Sequence, residues 1–382
     1  EMLGAAILSA WLQYGADGAP HARAVATGAC PAATIDGATV PMGERANTTQ
    51  PFPDIVCDVR VQSDAKRIRV GDRALPAPAR QPKTIVVFGD TGCRVGLLFA
   101  QACNDPAKWP FGTVARSVAA LHPDLIVHVG DYLYREHACP PLADCSGTPH
   151  GDDAAAWTAD FFAPAAPLFA AAPMVLVRGN HEECSRNGAG WFRYLDAHAE
   201  TTCSDATAPF AVDLGDLRLV VFDSAAADDR RAHSENTATL KTEFAQAKKL
   251  DAGARDSWFV THRPPYVNAD ERAAFDDALA PFDAVVTGHI HNFIAVDVEG
   301  RPPLVINGIG GAALDPNYAG LLALGMGNLK IAGDPFGSAQ FGFGVYTRTG
   351  AGWTISLRDP AGTERARCTL AARTVRCRSE AS

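Results

Sequence analysis

The sequence predicts an α/β fold preceded by a small antiparallel β region. From residue 84 onward, short apolar runs alternate with helical stretches. Those runs are continuous and do not alternate with polar residues, as in strands covered on both faces of a sheet. Before residue 80 the pattern is different: shorter, half-polar strands lie between turn signals.

In chain order, AILSAWLQY and HARAVATG flank GADGAP, which predicts a hairpin, and ATIDGATV predicts a second turn at Asp36–Gly37. CDVRVQ and KRIRV alternate apolar and polar residues on either side of Ser63–Asp64, and LPAPARQPK is a proline-rich linker. The expected division is a β domain over residues 1–80 and a larger domain over 81–382. The buried strands expected in the larger domain are TIVVFGD, DLIVHVGD, MVLVRGN, LRLVVFD, SWFVTH, DAVVTGH and LVINGIGG. Helices are predicted at TVARSVAALH (113–122) and TLKTEFAQAKKL (239–250), the latter with Leu240, Phe244 and Ala247 on one stripe. GVYTRTGAGWTISLRD predicts a hairpin, GIGGA (308–312) a turn at a strand end, and 313–340 an insertion flanking the strand ends.

A chain of 382 residues with 47% hydrophobic content can bury a large core. Its formal charge of −9 argues against extended contact with nucleic acid or anionic membranes. A transmembrane helix needs about 20 consecutive apolar residues, and none such is found. AAILSAWLQY is too short and has no basic region before it, so a mature chain after signal removal is expected. The ten cysteines fall into neighbouring pairs, Cys30/Cys57, Cys93/Cys103, Cys139/Cys145, Cys184/Cys203 and Cys368/Cys377, with no CxxC spacing for zinc. Disulfides between neighbours imply an oxidising compartment, periplasmic or extracellular.

Five strands end in residues able to bind metal. Asp90 follows the first, Asp131 and Tyr134 (GDYLY) the second, and Asn180 and His181 (GNHE) the third. His262 stands in VTHRPP, and His289 and His291 in GHIH. Ligands collect beyond the carboxyl ends of strands in open α/β sheets, so these loops are expected to converge. Carboxylate, amide and imidazole donors suit divalent first-row ions, and Asp131 can bridge two of them. Tyrosinate is a hard donor whose phenol has a pKa of about 10. A trivalent ion lowers that value, and ferric iron fits. Gly92, in GDTG, leaves a position open that Tyr134 fills.

The order GDTG…GDYLY…GNHE…TH…GHIH resembles the signature of the purple acid phosphatases, within the calcineurin-like metallophosphoesterases. The resemblance implies an αββα sandwich of two mixed sheets between helices, and the cysteine-rich loops and alanine-rich composition look like a bacterial branch. By size and strand content the N-terminal region is similar to the fibronectin-like module of plant-type members. The resemblance further implies Fe(III) on Asp90, Tyr134 and His291, a divalent ion (Fe, Zn or Mn) on Asn180, His262 and His289, and Asp131 bridging them. It implies hydrolysis of phosphate monoesters through attack of a metal-bound hydroxide on phosphorus, with release of inorganic phosphate. His181 is the candidate general acid for the leaving group. A phosphodiesterase or pyrophosphatase on the same metals, or a non-catalytic phospholigand binder, are the rivals. The chain departs from the family at RPPYVNADERAAF, which lacks a second substrate-binding histidine; Arg263, Asp270, Glu271, His137 and His150 are candidates to replace it. His128 reads either as support for the site or as a core histidine.

Overall fold

The computed structural model describes residues 6–251 and 256–379. Within them, two mixed sheets lie face to face and helices cover the outer faces. The first sheet has eleven strands, and its centre is Thr84–Phe88, Leu125–His128 and Met174–Leu176 in parallel. The second has seven, centred on Leu217–Val221, Asp256–Val260, Ala284–Thr287 and Leu304–Asn307, also parallel.

Strand periodicity sets the layers. In Thr84–Phe88, Ile85 and Val87 face inward to meet Leu219, Val221, Val260 and Val286 of the second sheet. Val86 and Phe88 face outward, onto Phe111, Val114 and Val118 of the helix Phe111–Ala120. On the opposite side, Val220 and Phe259 pack under Leu240, Phe244 and Ala247 of the helix Ser234–Leu250, the stripe expected from the sequence. Both sheets are therefore buried on both faces, which explains why their strands carry no polar alternation.

The small antiparallel sheet expected near the N-terminus is present, in the order Ala38–Pro41, Ala32–Ile35, Ile68–Val70, Arg73–Leu75. The other strands of that region join the large sheet instead. Ile7–Tyr14 pairs in parallel with Met174–Leu176, Gln13 opposite Met174, and leads on to Pro20–Ala26, Ile55–Arg60 and Gly43–Ala46. The strand thus covers an edge whose backbone would otherwise be left unpaired. Arg23 fastens this extension by donating to the Tyr194 and Asp196 carbonyls at 3.0 and 2.9 Å.

The C-terminal hairpins also extend the large sheet, with Phe343–Thr349 antiparallel to Thr84–Phe88. The 313–340 insertion supplies an edge strand, Ile331–Ser338, against Phe293–Val298. All five disulfides form between the neighbouring pairs named above. No helix among the described residues is long and apolar enough to cross a membrane.

Candidate metal centre

The strand-end loops meet at one end of the sandwich. After the first two strands the chain continues in step: the Asp90 amide donates to the Gly130 carbonyl at 2.8 Å and the Thr91 amide to Asp131 at 3.0 Å. Asp90, Asp131 and His289 have φ of 58, 61 and 71°, so three side-chain-bearing residues are held in the left-handed region. Each such residue costs roughly 1–3 kcal/mol, and the surrounding hydrogen bonds must offset it.

The two carboxylates are each divided between a structural and a site-facing oxygen. Asp90 Oδ2 accepts from the His289 amide at 3.0 Å, and Asp131 Oδ1 from the His181 amide at 2.9 Å. Their other oxygens face the Tyr134 hydroxyl, which lies 3.2 Å from Asp90 Oδ1, 2.7 Å from Asp131 Oδ2 and 2.8 Å from His291 Nε2. Beside this group, Asn180 Oδ1 is 3.0 Å from His262 Nε2 and 2.8 Å from His289 Nδ1, and His262 Nε2 is 3.1 Å from Asp131 Oδ2. The donors form two overlapping sets, Asp90–Asp131–His291 and Asp131–His262–His289, with Asp131 in both. The structure thus brings together all seven residues that the sequence singled out.

The imidazoles are oriented from behind. His262 Nδ1 donates to the Val129 carbonyl at 2.8 Å and His291 Nδ1 to Ala313 at 2.6 Å, which turns Nε2 of each ring into the site. His289 is reversed: its Nε2 faces Asp229 Oδ2 at 3.0 Å and its Nδ1 faces Asn180.

Burial, then the charges of Asp131 and Asp90, push the Tyr134 phenol well above its ordinary value. Burial opposes protonation of His262, yet Asp131 holds its imidazole up to about 9. Four oxygen and nitrogen donors thus converge on a buried point with one phenolic proton between them. Together with Asn180, His262 and His289, these atoms, once deprotonated, form a set suited to two cations, so the residues present fit a dinuclear centre.

Gly92 is explained by the same geometry. A Cβ there would lie 2.7 Å from the Tyr134 amide nitrogen and 2.8 Å from its ring carbon Cδ2. Gly179 is similarly constrained, since a Cβ would lie 2.1 Å from Asp131 Oδ1.

Several supporting residues went unread in the sequence. Glu182, the last residue of GNHE, is fully buried and accepts from the amides of Gly179, Asp131, Tyr132 and Leu133 at 2.8–3.1 Å. Asp160, on a π-helical turn (Thr158–Phe162), accepts from the amides of Cys93 at 3.0 Å, Tyr134 at 2.8 Å and Arg135 at 3.2 Å. It joins the first two loops across 67 residues of chain. Such π-turns are frequent at functional sites, but neither contact leaves a spacing signal in the sequence.

His181 packs against Tyr134, with ring centroids 3.7 Å apart and the ring planes tilted by 37°. Its Nδ1 lies 3.0 Å from Glu136 Oε1, and its Nε2 is 4.0 Å from Asp131 Oδ2. Arg186 grips Glu136 with Nε and Nη2 at 2.7 and 2.8 Å. Burial opposes it, but His181 and Arg186 hold the Glu136 carboxyl down to about 2. Burial lowers the pKa of His181 itself.

Of the proposed substitutes for the missing histidine, Arg263 alone adjoins the cluster, with Nη1 3.4 Å from His289 Nε2 and ion-paired to Asp229. Asp270 instead caps backbone, accepting from the Asp228 and His233 amides. Glu271 is fully buried, whereas His150 is exposed and His137 half-buried on either side of the Cys139–Cys145 loop. His128 supports the loops: Nδ1 accepts from the Gly130 amide at 3.2 Å, Nε2 meets the Thr91 hydroxyl at 2.9 Å, and the ring stacks on Tyr132. The GIGGA turn docks on the first loop, with the Gly310 amide 2.9 Å from the Gly89 carbonyl, and Asp315 of the insertion accepts from the His291 amide at 3.0 Å.

Among solved structures, purple acid phosphatase PPD1 from yellow lupin (Lupinus luteus) seeds is similar over 93% of this chain and 72% of its own, with TM-score 0.57 and 15% identity. A structure of PhoD is similar over 98% of this chain and 92% of its own, with TM-score 0.62 and 12% identity. At these identities the likeness shows the fold. No curated protein sequence matches the chain. Residues 83–293, more than half of the chain, match the Calcineurin-like phosphoesterase family. The strand-end constellation lies within that match, and this chain belongs to the calcineurin-like phosphoesterases, metal-dependent hydrolases of phosphorylated substrates.

Proposed function

We propose that this phosphoesterase is a dinuclear phosphatase of the purple acid type that hydrolyses phosphate monoesters and works in the periplasm or outside the cell. The observation that carries the reading is the Tyr134 hydroxyl, within 3.2 Å of Asp90, Asp131 and His291, in space that Gly92 leaves free. Burial among carboxylates keeps this phenol protonated, and a strongly charged cation in its place favours the phenolate, which supports Fe(III) there. Asp90, Tyr134 and His291 would hold the ferric ion; Asn180, His262 and His289 would hold a divalent Fe, Zn or Mn ion; Asp131 would touch both.

Such a pair of ions, when bound, activates water and neutralises charge on the phosphoryl oxygens. The protein's own part is orientation and proton transfer. His181 lies with Nδ1 3.0 Å from Glu136 Oε1, Nε2 4.0 Å from Asp131 Oδ2 and Arg186 Nη2 within 3.1 Å of both ring nitrogens, so the imidazole stands at the rim beside Asp131, where it would protonate the departing alcohol. Arg186 fixes Glu136 and brings positive charge to the same rim. Five disulfides favour an oxidising compartment.

The visible spectrum of purified, metal-replete protein tests the reading. A ferric phenolate absorbs visible light, and Tyr134→Phe should abolish that band in a folded protein. Colourless protein at full occupancy refutes the assignment. Mono- and diester substrates assayed on one preparation fix the reaction: faster diester turnover makes it a phosphodiesterase, and tight phosphate binding without turnover makes it a binder.

A further inference from the structure

A second feature adjoins the metal centre and has no part in the chemistry described so far. An open cleft of about 720 Å³ lies beside His289, lined by Glu183, Asp229, Arg230, His233, Glu235 and Arg263, among others. Its inner wall is continuous with the centre: Asp229 Oδ2 and Arg263 Nη1 lie 3.0 and 3.4 Å from His289 Nε2, and Glu183 directly follows the buried Glu182. The cleft thus reaches the centre behind His289, on the side away from its Nδ1, and Glu183 stands two residues after His181, so a group held at the metal ligands that extends past His289 enters this space.

Two features keep that wall in place. Asp229 is held from the other side by Asn268, whose Nδ2 donates to Oδ1 at 2.9 Å, while its Oδ2 pairs with Arg263. The adjoining Asp228 caps its own loop, accepting from the Arg230 and Arg231 amides at 2.7 and 2.9 Å. The cleft is thus built on fixed backbone and ends at the first turn of the helix Ser234–Leu250, where Glu235 stands.

The lining decides what fits. The methyl groups of Ala226 and Ala227 are its hydrocarbon side chains. Four carboxylates (Glu183, Asp228, Asp229, Glu235) face two guanidinium groups (Arg230, Arg263), a formal charge of about −2 with His233 neutral. An alkyl or aryl group would desolvate these charges with nothing to replace their hydrogen bonds. A leaving group carrying further phosphate would meet the excess of carboxylates. Hydroxyl and ammonium groups, by contrast, donate to carboxylates, and the volume suits a small polar ligand.

We infer that this cleft is the leaving-group subsite of the dinuclear centre and selects phosphate monoesters of small alcohols rich in hydrogen-bond donors, such as sugar or amino-alcohol phosphates. The inference rests on the phosphatase reading above for its reaction, but the binding preference can be measured without turnover.

Glucose 6-phosphate, phosphoethanolamine, n-hexyl phosphate and fructose 1,6-bisphosphate, compared on metal-replete protein, test it. The first three esters release alcohols of similar kind, so differences between them report binding more than leaving-group chemistry. At least one of the first two should exceed hexyl phosphate and the bisphosphate about tenfold in kcat/KM, the discrimination expected when polar groups are satisfied or left unpaired. Glu235→Leu and Glu183→Leu, made separately so that a folding failure in one leaves the other, should each narrow that ratio about fivefold, roughly the loss of one ordinary hydrogen bond. If no ester is hydrolysed, the phosphatase reading fails, and the same ratios read as calorimetric Kd values still decide the subsite. Hexyl phosphate or the bisphosphate binding and reacting as well as the donor-bearing esters, or ratios unchanged in both variants, would overturn the proposal.

Discussion

Replacing Gly92 with alanine puts a single methyl group where the geometry leaves none. The added carbon would stand 2.7 Å from the Tyr132 carbonyl oxygen, 2.7 Å from the Tyr134 amide nitrogen and 2.8 Å from its Cδ2. Ordinary contacts begin near 3.4 Å, so the neighbours must retreat by about 0.7 Å. They are not free to do so. The Tyr134 amide donates to Asp160 Oδ2 at 2.8 Å, and its carbonyl accepts from Val95 at 3.0 Å. Overpacking against pinned backbone costs about 1–3 kcal/mol. In a chain of 382 residues, with an unfolding entropy of about 2.1 cal/mol/K per residue, that lowers Tm by only about 1–4 °C. The larger effect falls on the site, because a ligand constellation tolerates displacements of roughly 0.5 Å. We therefore expect Gly92→Ala to fold but to bind the ion beside Tyr134, ferric in the proposed centre, at least about tenfold more weakly, with the visible band shifted or lost. Metal analysis after dialysis against graded chelator, alongside calorimetric unfolding, measures both effects. Wild-type retention of iron and an unshifted band would show that Tyr134 does not fill the space beside Gly92.

Four further outcomes are expected. Asp131→Ala should lose both ions, read as metal content per chain, whereas a variant that kept one ion at full occupancy would contradict a shared carboxylate. His181→Ala should retain its metals and lose turnover by about 10²–10⁴-fold, and Glu136→Gln should cause a smaller loss in kcat with little change in KM; normal turnover in the first would remove His181 from the chemistry. Asp58, held down to about 2 against its burial by His21 and Arg23, has a folded pKa below its unfolded one. Its contribution of about 2 kcal/mol is therefore present above about pH 4 and fades as the pH falls toward 2. Asp58→Asn should be destabilised by that amount at pH 7 in urea titrations, and the gap should shrink in acid; a gap independent of pH would exclude this linkage.

The candidate ligands were legible because their chemistry and their position coincide. An aspartate, asparagine or histidine directly after an apolar run marks both a strand end and a metal donor, and five such signals in order leave few other readings. The tyrosine was readable only together with the glycine that makes room for it. Glu182 and Asp160 were hidden for the opposite reason: they act on backbone amides, and any loop residue has an amide, so no partner residue betrays them. The Asp229–His289 and Glu136–Arg186 contacts join residues 60 and 50 positions apart with no periodic pattern. Periodicity found the two hairpins on the N-terminal side but not their destination. Ile7–Tyr14 has the composition of any half-covered strand, and only the vacant edge at Met174–Leu176 determines that it extends the large sheet.

That edge has a consequence for how the chain matures as it leaves a ribosome or a translocon. Each disulfide closes a loop of 6 to 27 residues, so every one can form soon after its second cysteine emerges. The strand at residues 7–14 has no such early partner beyond its own hairpin; the one it finally sits beside is made some 160 residues later. Its β-rich opening, already oxidised at Cys30–Cys57, must stay soluble until Met174–Leu176 is made and that side of the sheet is paired. A holdase or a slow translocation step acting before residues 174–176 emerge would act while the strand at residues 7–14 still has an unpaired edge open to aggregation.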